Sequence, residues 1–158
     1  MAQPTRYGDP ERFFTGTPDL PLKGPIPKGV SLSGTFSSNG NIVTGVGTLF
    51  SSQLGGVKGW LYSASLNEVR EFQGYTSDTS LYLLSPFTSN VSGDPVTVCF
   101  IKYTLVTIAN LGANAGLVKE RAFAAGEQET YPNDAGIAPL TYDFSANGPS
   151  GALILLQH

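Results

Sequence analysis

The chain carries one histidine, His158, and one cysteine, Cys99, among 158 residues. A Ser-His-Asp or Cys-His nucleophile would have to recruit a terminal imidazole, and chain ends are where order is poorest. Zinc sites built from thiolates and imidazoles fail on the same count, so neither a metal nor a catalytic residue is expected. One thiol also excludes a disulfide framework within the chain, and Cys99, set in the apolar run VTVCFI, reads as a small buried hydrophobe. Charge is scarce as well. Charged residues make up 13% and the formal net charge is -3, with no cluster of Lys and Arg to serve as a footprint for nucleic acid. No stretch approaches the roughly 18 apolar residues of a membrane span, and MAQPTRYGDPERFF lacks the charged and apolar regions of a secretion signal. The expected product is made in the cytosol and stays soluble, with neither nucleic acid nor membrane as a partner.

What is present is glycine (19), proline (11) and a 41% share of hydrophobic residues rich in Val, Leu, Phe and Tyr, alongside many Ser and Thr. Exposed helices normally carry Glu, Lys, Arg and Ala for propensity and solubility, whereas this mixture suits short strands joined by turns. The fold class is therefore expected to be all-β, a small barrel or sandwich.

Residues 1–29 hold Pro4, Pro10, Pro18, Pro21, Pro25 and Pro27 and show neither helical nor strand periodicity. Proline fixes its own φ and pushes its predecessor out of the helical region, so this piece must be extended or turning. It is more apolar than a linker needs. Tyr7, Phe13, Phe14, Leu20, Leu22 and Ile26 are the candidate anchors of an arm laid across a surface, its own or a neighbour's.

At Val30 the pattern becomes alternating, with Val30, Leu32, Gly34 and Phe36 on one face and Ser31, Ser33, Thr35 and Ser37 on the other. Asn39-Gly40 is a hairpin signal of the type I′ kind, which places the next strand from about Asn41. GWLYSAS, EVREFQGY and SLYLLSPF follow as strand-length runs separated by turn residues, so residues 30–100 read as one small β-domain. Residues 101–158 form a C-terminal β-region that either packs with that domain or stands apart. Within it VTVCFIKYTLVTIAN is one bent strand or two, and residues 116–130 suit strands better than a short helix because glycines punctuate them.

Three features invite a chemical reading. Gly45 and Gly47 form a G-x-G, yet no third glycine follows at dinucleotide spacing, and no Lys-Ser or Lys-Thr completes a P-loop. The glycines are expected to turn a barrel corner flanked by Thr44 and Thr48, and no cofactor is implied. The acid pairs Glu68 with Glu71, Glu127 with Glu129, and Asp134 with Asp143 stand at turns or alternating strand positions, where solvation rather than acid-base work accounts for them. Glu68, Arg70 and Glu71 are expected to form the polar face of a hairpin. Trp60, Tyr62, Tyr75 and Tyr82 would serve a glycan-binding module if exposed, although strand alternation points several of them inward.

The order from GTFSSNGNIVTGVGTLF to SDTSLYLLSPF resembles a small β-domain of virion structural proteins in tailed bacteriophages. The matching parts are T-G-x-G-T-x-F at residues 44–50, Leu54, residues 59–61, residues 68–72 and residues 77–83. VTIANLGANAG followed by RAFAAGEQETYP is similar to stretches of auxiliary phage proteins. The resemblance to capsid decoration proteins implies a non-enzymatic homotrimer on the outer capsid surface that bridges major capsid protein subunits, with the Pro-rich arm as the clasp. A neck, collar or tail component is the alternative that the same resemblance allows, and a host-glycan-binding module is a third reading.

Overall fold

The computed structural model of the chain describes residues 11–17, 20–26, 29–55, 59–99, 105–119, 121–132 and 139–157. In chain order its strands are β1 (Glu11–Phe14), β2 (Lys23–Ile26), β3 (Val30–Asn39), β4 (Ile42–Val46), β5 (Gly59–Ser63), β6 (Glu68–Ser77) and β7 (Ser80–Leu83). They continue as β8 (Asp94–Cys99), β9 (Leu105–Asn110), β10 (Gly116–Val118), β11 (Arg121–Phe123), β12 (Gln128–Pro132), β13 (Leu140–Asp143) and β14 (Ala152–Gln157). One five-residue helix, α1 (Phe50–Leu54), and a single 3-10 turn at Ser145–Asn147 are the helical parts among the described residues. The chain is all-β, as its composition implies. Residues 116–130 are strands, and the run VTVCFIKYTLVTIAN contributes to two, β8 and β9, which belong to different sheets. The described residues fall into two compact units, one spanning residues 25–99 with 139–141 and the other built from 11–24, 105–132 and 142–157.

The first unit holds a closed barrel of order β3-β4-β7-β6-β5-β8. Closure leaves no free strand edge in that sheet, which removes the usual template for unwanted pairing. Inward positions alternate as the pleat requires, bringing Phe36, Val43, Leu61, Phe72, Leu81 and Val96 into one apolar cluster. Each such side chain contributes about 1.5–3 kcal/mol on burial. The alternation of β3 fails at its start. Val30, at the strand's first position, is exposed; the register against β8 then shifts between Ser31 and Thr35, where Gly34 sits at φ +82°. A Cβ at Gly34 would lie 2.4 Å from the Val46 carbonyl oxygen, so only glycine permits this crossing of two backbones. The β3-β4 turn also differs from its sequence reading. Asn39 pairs with Ile42, making Gly40 and Asn41 the central residues. Of these only Gly40 has positive φ, the signature of a type II′ turn with glycine leading.

Residues 84–93 close over the barrel interior and supply Phe87 and Val91 to its core. Phe87 stacks on Phe36 with centroids 6.2 Å apart, and Val91 exchanges hydrogen bonds with Ser38 through its N–H (3.0 Å, to Oγ) and its carbonyl (2.9 Å, from the Ser38 N–H). Glu68 and Arg70 hold the segment from β6. Thr88 donates to Glu68 from N–H (3.1 Å) and Oγ1 (2.5 Å), while Arg70 Nε donates to the Pro86 carbonyl at 2.7 Å and its guanidinium lies 5.5 Å from the Phe87 ring centroid. Glu68 is therefore buried under a loop rather than solvated on a hairpin face, contrary to the reading of its alternation.

In the second unit one sheet has the order β1-β14-β9-β12 and is antiparallel throughout. Val106, Ile108, Ala152 and Ile154 occupy its buried face. A further sheet has the order β11-β10-β13-β2, and its strands β2 and β13 are not confined to one unit. Phe144 meets Phe123 edge-on at 6.0 Å and stacks beside Tyr142 at 6.1 Å, so three aromatic rings share one cluster. Asn110 lies buried among these elements. Its Nδ2 faces the carbonyls of Asn114 (2.9 Å), Phe123 (3.1 Å) and Ala124 (3.1 Å), and its Oδ1 accepts from the Gly112 N–H (3.1 Å) and Asn147 Nδ2 (3.0 Å). One side chain thus bonds backbone groups of residues 112–114 and 123–124 together with the side chain of Asn147.

Candidate functional site

Residues 44–50 and 77–79 meet in one corner of the barrel. Thr48 Oγ1 donates to the Asp78 carbonyl at 2.5 Å, Gly45 N–H donates to the Thr79 carbonyl at 2.9 Å, and Phe50 N–H donates to the Asp78 carbonyl at 3.3 Å. Asp78 then caps α1. Its Oδ1 accepts from the Ser51 N–H at 2.9 Å and from the Ser51 hydroxyl, where Leu49, at the usual capping position, offers no side-chain bond. A Cβ at Gly45 would lie 2.1 Å from Thr48 Oγ1, so this glycine lets Thr48 fold back. Gly47, at φ +68°, makes the bend. The G-x-G serves a corner, as its sequence context implies.

The acid pairs are engaged in structure. Glu127 and Glu129 both accept from Arg121, at 2.9 and 2.5 Å, and Glu127 also accepts from the Ala124 N–H at 2.7 Å. That backbone donor, with Arg121 second, holds the Glu127 carboxyl below its usual range. The hydrogen bond that Arg121 donates to the Tyr131 hydroxyl, followed by its bonds to the two carboxylates, pushes its guanidinium further up. Asp143 Oδ1 accepts from the Ser145 N–H at 2.9 Å, and Asp134 lies outside the described residues. On β6, Glu68 is clamped to Thr88, and Glu71 pairs across the sheet with Trp60. Burial pushes the Cys99 thiol up to about 12, consistent with a core residue packed beside Tyr62 and Val69. No group of three or more His, Cys, Asp or Glu suited to a metal occurs among the described residues. No helix among them is long and apolar enough to cross a membrane.

The arm residues separate into two classes. Leu20 and Ile26 are buried in the chain's own fold, Phe13 and Leu22 are half-buried, and Phe14 is 44% exposed. Tyr7 lies outside the described residues. Phe13 and Phe14 belong to β1, where they pair with Ile154 and Leu153 of β14. Because side chains alternate across a strand, Phe14 shares the outer face of its sheet with Leu153, Ala109 and Gln128 in one row, and with Arg12, Leu155, Thr107 and Thr130 in the next. Leu153, Leu155 and Ala109 are half-buried. This face is largely uncharged and apolar at its centre, and the sequence did not mark it, since its rows join residues from opposite ends of the chain.

Of the aromatic candidates, Tyr62 is buried with its hydroxyl donating to Asn67 Oδ1 at 2.7 Å, Trp60 is half-buried beside it, and Tyr75 packs against the barrel core. Tyr82 alone of the four is exposed, on the outer wall of β7 between Ile42 and Gly74. No family model, curated protein or solved structure matches this chain.

Proposed function

We propose that the chain is a non-enzymatic structural protein of a tailed-phage particle, a decoration protein that bridges major capsid protein subunits on the outer surface of the head as a homotrimer. The observation that carries this reading is the apolar outer face of the β1-β14-β9-β12 sheet, with Phe14 at 44% exposure on its edge strand. A large aromatic side chain left in water on a rigid sheet gives much buried area for little lost freedom when a partner covers it. The motif resemblance at residues 44–50 and 77–83 supports a virion protein in particular, and the net charge of -3 suits a surface turned away from DNA. Three modest contacts on one trimer act together at high effective concentration. The clasp in this reading is the sheet face with Phe14, while Leu20 and Ile26 hold the arm to its own body.

The test is binding of the full-length protein to empty capsids assembled from the major capsid protein of the same genome, with electron cryomicroscopy of the saturated particles. Density at threefold or quasi-threefold positions in many copies is expected, and Phe14→Ser should weaken binding at least about tenfold while circular dichroism stays unchanged. A few copies at the portal vertex, or equal binding by the variant, would overturn the proposal.

A further inference from the structure

The outer wall of the barrel carries a second feature that capsid bridging does not use. Strand β6 is irregular on both sides of Gly74, its register against β7 shifting between Phe72 and Gly74 and again between Tyr75 and Ser77. Bulges re-aim side chains, and these two flank a shallow depression of about 190 Å³ lined by Gln73, Gly74, Tyr75, Thr76 and Tyr82. Tyr82 stands opposite Gly74 and is 42% exposed. An aromatic residue across from a strand glycine ordinarily folds over it to cover the bare backbone. Here no heavy atom beyond the residues on either side of Gly74 lies within 4 Å of where its Cβ would stand, so the Tyr82 ring leaves that floor open. Ile42, 47% exposed, flanks the ring on its other side.

The five lining residues therefore include an exposed aromatic residue, a glycine, one amide-bearing and one hydroxyl-bearing residue, and none that is charged. We infer that this depression binds a neutral pyranose sugar. The negative face of an aromatic ring attracts the polarised C–H groups on one side of a sugar ring. An amide, which both donates and accepts, and a hydroxyl match neighbouring sugar hydroxyls at the rim. The absence of Lys, Arg, Asp and Glu from the lining selects against acidic and amino sugars, and the small volume admits one ring rather than a buried chain. The site is separate from the sheet face carrying Phe14 and stands or falls without the capsid reading.

The test titrates full-length isotope-labelled protein with free glucose, galactose, mannose, N-acetylglucosamine and sialic acid, followed by NMR. At least one neutral sugar should shift the amides of residues 73–76 and 82, with Tyr82→Ala weakening binding about tenfold, which corresponds to about 1.4 kcal/mol. Gly74→Val supplies the decisive variant. It fills the floor with a residue that strands favour, so the barrel should fold normally and binding should still fall about tenfold. No shift with any neutral sugar, a response to sialic acid alone, shifts confined to other residues, or unchanged binding by Gly74→Val would each overturn the inference.

Discussion

The barrel and the β1-β14-β9-β12 sheet unit are both antiparallel, yet they are built on opposite plans. All six barrel strands come from residues 30–99, and the space they enclose is filled by aliphatic and phenyl side chains. The second unit is assembled from three separated stretches of chain, and a buried amide, Asn110, lies among its loops. A contiguous unit can rely on local turns to set its register and on burial to hold it. A discontinuous one must specify which distant segments meet, and directional hydrogen bonds with fixed donor and acceptor counts do that better than apolar contact.

The sharpest way to break this contrast is at Gly34, where two barrel backbones approach closely. Gly34→Val places a Cβ against the Val46 carbonyl at a φ that side chains rarely adopt, and should cost about 3–5 kcal/mol, read as a lower urea midpoint by Trp60 fluorescence. Wild-type stability would mean that the crossing of β3 over residues 46–47 is not as described. Next in size is Asn110→Ala, which takes one donor from the carbonyls of Asn114, Phe123 and Ala124 and should cost about 2 kcal/mol. Its mark is loss of hydrogen-exchange protection in residues 105–130, and an unchanged exchange pattern would remove the polar specification of that unit. The smallest effect belongs to the exposed Arg121 cluster. Arg121→Gln should leave the unfolding midpoint where it is. Because the folded-state value of Glu127 is depressed, its contribution is present above the ordinary carboxylate range and is lost as pH falls through the lowered value. NMR titration of Glu127 should show that depression only partly relieved by Arg121→Gln, since the Ala124 N–H remains; full relief would make the ion pair the main cause.

The same contrast explains what could be read from the sequence. Barrel strands announce themselves because alternation, a glycine turn and the Ser-Asp-Thr corner are all local signals. Even there, the Asn39-Gly40 pair indicated a hairpin but not its central residues, which depend on the register of Asn39 with Ile42. Glu68 looked like a solvated strand residue because nothing near it in sequence shows that residues 86–88 fold down on it. Pairing of β1 with β14 has no local signal at all, so Phe14 could be named an anchor by its aromatic character while the sheet face it belongs to stayed hidden. Tyr82 was singled out with three other aromatics. Its distinction comes from the bulges in β6, where one strand loses step with its neighbour.

Thr15 ties the two ends of that discontinuous sheet together. Its N–H donates to the Ala152 carbonyl (3.1 Å), its Oγ1 accepts from the Ala152 N–H (3.1 Å), and its carbonyl accepts from the Ser150 N–H (2.6 Å). During synthesis these partners are made nearly a whole chain apart. While the ribosome is still working, the barrel sequence can emerge complete and close, whereas β1 must wait for residues 150–157 before its ladder can form. That pairing is a long-range closure, and a chain truncated before residue 150 should leave Phe13 and Phe14 without their β14 partners.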